Sequence, residues 1–201
     1  MIQSKRNYTD QVFKDRIPPG LQIISTTFLD CIFEQCEFND TMLTDCRFVN
    51  CEFHKCDCSL IQVPGCTFSG TRFMETKLMG VNWSQADWAD YGLGKPLEFT
   101  KCSLSHSTFI GVQLGSVKMK QCQAINVDFR EASLCEADFT FTDLQDSLFQ
   151  GTDLRKADLR SAKNYAIDPS QNKIGKAKFA LPEAMALLYS MDIIIDEPGT
   201  L

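Results

Sequence analysis

The chain has no long apolar run, no excess of basic charge and almost no histidine. Nowhere in its 201 residues is there an unbroken stretch of about 18 apolar residues, the minimum for a membrane-spanning helix. The opening MIQSKRNYTDQVFKDRIPPG lacks the apolar core of a secretion signal, so the cytoplasm is the expected compartment. A net charge of −6 and a pI near 4.9 withhold the basic footprint of a nucleic-acid binder, so neither nucleic acid nor membrane is an expected partner. Gly-rich phosphate loops, nucleophile motifs and HExxH are missing too. No enzyme activity, cofactor or metal is therefore expected.

Cysteine, by contrast, is abundant. Six of the ten crowd into CIFEQCEFNDTMLTDCRFVNCEFHKC at 31–56. A reducing compartment argues against disulfides. Cys-x4-Cys in step with Phe is not a zinc spacing, and His54 and His106 lie apart. The spacing belongs to a longer pattern. Every fifth residue from Phe28 to Trp88 is apolar, and the same step from Phe99 to Leu159 is apolar again. Two residues before each sits a small or slim residue, from Thr26 to Ala86 and from Leu97 to Ala157, and eight of the ten cysteines fall on that second ladder. A buried cysteine there acts as a small hydrophobe in a slot that alanine could fill.

A period of five matches neither the helix nor the strand. It suits a coil with four five-residue sides, in which two residues per side point inward and coils twenty residues apart stack about 4.8 Å from one another. Stacked pairs such as Cys31 and Cys51 come within disulfide reach, with side chains pointing the same way in poor geometry. The ladders shift by one between Trp88 and Phe99. Read as one extra residue, this makes ADYGLGKPLE a small bulge and joins Phe28, Phe48, Phe68 and Trp88 with Phe109, Phe129 and Phe149 in a single column.

The repeat, clearest in EADFTFTDLQDSLFQGTDLRKADLR at 136–160, resembles the pentapeptide repeat family. That resemblance, over about 23–163, implies an all-β right-handed quadrilateral β-helix. The expected divisions are an N-terminal cap at 1–22, coil segments at 23–88 and 99–163 flanking a break at 89–98, and a capping tail at 164–201. In the tail, LPEAMALLYSM reads as a helix with Pro182 at its first position, and DIIID as a short strand. Besides capping the coil, Leu187, Leu188, Met191, Ile193 and Ile195 are candidates for a homodimer contact.

On the single-bulge register, Asp30, Asp45, Asp87, Asp90, Asp128, Glu131, Asp143 and Asp146 fall on two adjoining sides with few bases, while the other two sides nearly cancel. This acidic edge is the candidate partner site. LMGVNWSQADW at 78–88, the break after it and the tail KFALPEAMALLYSMDIIID resemble the topoisomerase-poison resistance group of the family, the Qnr-, MfpA- and above all AlbG-like proteins. The resemblance implies a dimeric DNA mimic that engages DNA gyrase, or a related type II topoisomerase, and relieves a poison. Two long projecting loops of the Qnr pattern are missing, which favours an albicidin-like poison over a quinolone. The alternative is a structural or adaptor solenoid for another protein.

Overall fold

Each five-residue unit makes one side of a square coil. Its central residue and the residue two before it point inward, and its last residue turns the corner. In the computed structural model, which describes residues 2–14, 20–89, 95–191 and 193, these sides stack in parallel with identical inward positions aligned. Four columns of central residues result. Face 1 carries Tyr8, Phe28, Phe48 and Phe68, and face 2 Phe13, Phe33, Phe53, Phe73, Phe99 and Met119. Face 3 is built on Phe38, Cys58, Leu78, Leu104, Ala124 and Leu144, and face 4 on Ile23, Leu43, Val63, Trp83, Phe109, Phe129 and Phe149. Nearly all of these side chains are fully buried, so the core runs as a continuous column along the axis. Rings stack within columns and meet edge to face between them, as in Phe33 on Phe53 with centroids 4.4 Å apart and Phe33 against Phe38 with planes at 72°. On face 2, parallel pairing runs unbroken from Val12 through Ile32, Glu52, Arg72, Glu98, Lys118, Asp138 and Asp158 to Lys178. At about 4.8 Å per step, the first and last of these rungs stand about 38 Å apart.

Corner residues adopt the left-handed conformation, with φ between 49 and 62° at the non-glycine positions. None of them is β-branched, which fits the steric cost of that region. Two corner types occur, strand corners mostly in the first half of the coil and turn corners throughout the second half after Lys120. Where a side is a three-residue strand, as at Thr27–Leu29, the corner has no local hydrogen bond. Where it is a turn, the amide three residues after the central residue closes back on its carbonyl, as Ala132 N to Phe129 O at 3.2 Å.

Three sequence expectations change. The described part of the expected 1–22 cap belongs to the coil, because Asn7–Thr9 and Val12–Phe13 pair with the coil above and Tyr8 and Phe13 enter its columns. The break inserts six residues, not one. Arg72 pairs with Glu98 and Asn82 with Thr108, both 26 residues on, and Trp83 rather than Trp88 stacks under Phe109, with ring centroids 5.8 Å apart and planes 9° apart. Trp88 stacks on Phe68, and Leu114 stands on the next coil of that face. Thirdly, the coil does not fade at 163. Ile167, Asn172, Ile174, Ala177 and Phe179 occupy inward positions of a further turn, with Lys173 and Lys178 paired to Asp153 and Asp158. The tail helix is Met185–Tyr189, entered through a turn that starts at Pro182. Of the expected strand only Ile193 is described.

Candidate partner-binding surface

The insertion redistributes the predicted acidic edge. A shift of six residues instead of one moves the second half of the chain by a whole side. Asp30 and Asp87 therefore lie on face 1, Asp45, Asp128 and Glu131 on face 4 or its corner, and Asp143 and Asp146 on face 3. Asp90 lies outside the described residues. The eight do not form one edge.

The observed register still separates the charges. Among the described residues, faces 3 and 4 with their corners carry Glu37, Asp40, Asp45, Asp57, Asp128, Glu131, Asp143, Asp146 and Asp168 against Lys5, Lys77, Arg130 and Lys163. Faces 1 and 2 carry eleven carboxylates against fifteen lysines and arginines. Half of the rod's circumference is thus acidic and the other half slightly basic. The acidic groups cluster on the coils at 37–57 and at 128–168.

Local pairing grades these carboxylates. Burial pushes the Asp128 carboxyl up, but hydrogen bonds from the Arg130 guanidinium at 2.7–3.1 Å and from its amide outweigh that and hold it below the ordinary range. Asp128 is consequently half neutralised as a partner contact. Asp153 and Asp158 repeat the arrangement with Arg155 and Arg160 on the other half of the rod. Asp143 has Lys163 at 3.6 Å and Asn164 donating at 2.8 Å. Asp30 accepts from Asn50, and Asp87 from the Ala89 amide. Asp40, Asp45, Glu131 and Asp146 are exposed corner residues that form no ion pair among the described residues. Asp45 reaches over Gly65, where a Cβ would crowd it, and Glu131 lies over Gly151 at ordinary contact distance. Faces 1 and 2 are instead cross-linked by ion pairs between adjacent coils, including Arg72 with Glu52, Lys118 with Glu98 at 2.6 Å and Lys156 with Glu136 at 2.7 Å.

The cysteines do more than fill space. None of the ten forms a disulfide, and all but Cys135 are buried. At a strand corner the next inward amide lacks a local acceptor, and the inward residue one coil on supplies one: Thr76 Oγ1 accepts from Cys56 N at 3.3 Å. The same side chains donate back to the carbonyl 23 residues earlier, as Cys51 Sγ does to Phe28 O at 3.4 Å and Thr71 Oγ1 to Phe48 O at 3.2 Å. Cysteine or threonine follows the strand corners from Ser25 to Gln121, whereas turn corners are followed by alanine, as after Phe129 and Leu134, but also by Cys66, Val112 and Thr142. Burial pushes the Cys51 thiol up to about 12, against a hydrogen bond from the Cys31 backbone. Such thiols are inert toward metals and electrophiles.

At the C-terminal end the cap splits in two. Leu187, a predicted dimer residue, packs with Ala186 on the last coil. Leu188, Met191 and Ile193 are exposed, joined by Tyr189 at 66 % and Leu181 at 76 %. Ile195 lies outside the described residues. Beside them opens a cavity of about 300 Å³ lined by Tyr165, Pro182, Met185 and Tyr189. No helix among the described residues is long and apolar enough to cross a membrane.

The chain matches the family described as pentapeptide repeat region over residues 26–95 and 95–159. Among solved structures it is similar to QnrB1, a plasmid-mediated fluoroquinolone resistance protein. One trypsin-treated form of that protein superposes with a TM-score of 0.71 at 15 % identity, covering 96 % of this chain and 99 % of that one. Full-length QnrB1 gives 0.60 at 16 % identity, covering 93 % and 100 %. At that identity the likeness is one of fold. No curated protein sequence matches the chain.

Proposed function

Because the chain belongs to the pentapeptide repeat family, we propose that it is a non-catalytic rod that imitates DNA, binds DNA gyrase in the cytoplasm and protects it from a poison such as albicidin or a quinolone. The observation that carries this reading is the segregation of charge, with carboxylates gathered on faces 3 and 4 and the remaining faces internally paired. A protein surface built to hold duplex phosphates is cationic, and carboxylates on a straight rod are drawn to it by the same field. The fold shared with QnrB1, itself a fluoroquinolone resistance protein, supports the class of partner. In the same reading the exposed Leu188, Met191 and Ile193, with Tyr189, form the contact of a homodimer joined at the C-terminal caps.

The test titrates the protein into gyrase supercoiling and cleavage-complex assays with albicidin or ciprofloxacin present. Wild type is expected to restore supercoiling and lower cleavage. The variant Asp45→Lys, Glu131→Lys, Asp146→Lys is expected to lose the effect while folding normally, since lysine already occupies left-handed corners at Lys55, Lys101 and Lys156. Equal activity of the variant, or no effect of wild type at large molar excess, would reject the reading.

A further inference from the structure

We propose that face 3 is a protein-docking surface held by two apolar anchors, Leu60 and Phe141, and that the partner presents a basic surface with an apolar pocket for each. The proposal rests on the reading that the rod binds gyrase, and adds to charge the contacts that would fix its position.

Two corner residues break the rule that the other corners keep. At every other non-glycine corner among the described residues the left-handed residue is polar, whereas Leu60 has φ 58° and Phe141 φ 61°. A bulky apolar side chain in that region is an outlier that costs stability. Neither recovers the cost by burial, because Leu60 is 57 % and Phe141 62 % exposed. Strain combined with exposure gives the fold nothing, which turns attention to what the side chains could touch. Leu60 lies flat over Gly80, where a Cβ would come within 2.7 Å of its Cδ2, and beside the exposed Met79. Seated on Gly80, it still leaves more than half of its surface open to solvent.

Their placement supports a shared role. Leu60 ends face 3 at its corner with face 4, and Phe141 begins it at the corner with face 2. Just under four coil steps separate their levels, about 18 Å along the axis. Asp57 stands beside Leu60 and Asp143 beside Phe141, and the face 3 ladder between their levels carries Lys77, Ser103 and Gln123. Isolated apolar knobs among carboxylates suit a protein interface with apolar anchors and a polar rim. Anionic lipid would be repelled by the same carboxylates, and phosphate imitation by itself needs no apolar knob.

The experiment measures affinity for purified bacterial DNA gyrase holoenzyme, together with thermal stability, for wild type, Leu60→Asn, Phe141→Asn and the lysine triple variant described above. Asparagine tolerates the left-handed region, so each single variant is expected to keep or raise Tm, by about 2 °C. Each is also expected to bind at least about tenfold more weakly, with the salt dependence of Kd unchanged. Opposite signs on stability and affinity are the signature of an anchor. If the single variants bind like wild type while the lysine variant binds weakly, the anchors are rejected and the charge reading stands. If wild type itself fails to bind gyrase, both are rejected.

Discussion

A thiol in the inward slot of this coil has two jobs that its size conceals. Cys51 donates to Phe28 O, and burial raises its pKa against a hydrogen bond from the Cys31 backbone. Replacing it by alanine removes both partners from a dry core, where an unsatisfied polar group costs about 1–3 kcal/mol. Threonine keeps both, as Thr76 does by accepting from Cys56 N and donating to Phe53 O. Cys51→Ala is therefore expected to lose about 1–2 kcal/mol in urea denaturation and Cys51→Thr to stay within about 0.5 kcal/mol of wild type. Equal loss in both variants would return cysteine to a simple packing role. The spacing of the cysteines made the slot legible. The hydrogen bonds were not, because they depend on whether the corner 23 residues earlier is a strand or a turn, and the five-residue period is identical for both.

At the scale of one side, the same limitation explains the misplaced acidic edge. A five-residue ladder fixes the size of an insertion only to within multiples of five, so one extra residue and six leave the same trace between Trp88 and Phe99. Bulky apolar centres occur on all four sides, so nothing in the ladder says which side follows. Stacking of Trp83 on Phe109 decides for six. The further turn at 164–179 was hidden differently. Asn164 and Pro169 interrupt the apolar ladder, and the inward slot at 172 holds an asparagine that reproduces the thiol's work, accepting from Thr152 N at 3.0 Å and donating to Phe149 O at 2.9 Å. The six-residue insertion also makes a direct prediction. Deleting Tyr91–Pro96 restores a twenty-residue repeat, leaves Asp90 for the left-handed corner that proline could not occupy, and puts Ala89 O where Lys95 O now accepts the Gly70 amide at 2.9 Å. The shortened chain is expected to fold with unchanged circular dichroism and a Tm within about 4 °C of wild type, since surface loop length costs little. Loss of the fold would mean that the insertion is structural.

For the whole molecule, a solenoid's weak points are its ends, where unpaired backbone invites further stacking. Among the described residues, only one of the tail's aliphatic candidates faces the coil. Leu187 docks there, whereas Leu188, Met191 and Ile193 are exposed together with Tyr189. A five-residue helix has little stability of its own, so an outward apolar face on it adds nothing to the cap. Burial against a second copy would account for it, and a two-fold contact uses the same patch twice. Sedimentation is expected to give about twice the 22.7 kDa chain mass. Tyr189→Asp with Met191→Asp is expected to give a monomer with unchanged circular dichroism, because neither side chain supports the coil. A wild-type monomer at tens of micromolar would reject the dimer. If the variant is monomeric yet still protects gyrase at the same concentration, one rod is sufficient for the partner. A large loss of potency with the acidic faces intact would show instead that the partner holds both rods at once, gaining by effective concentration what a single acidic half-surface lacks.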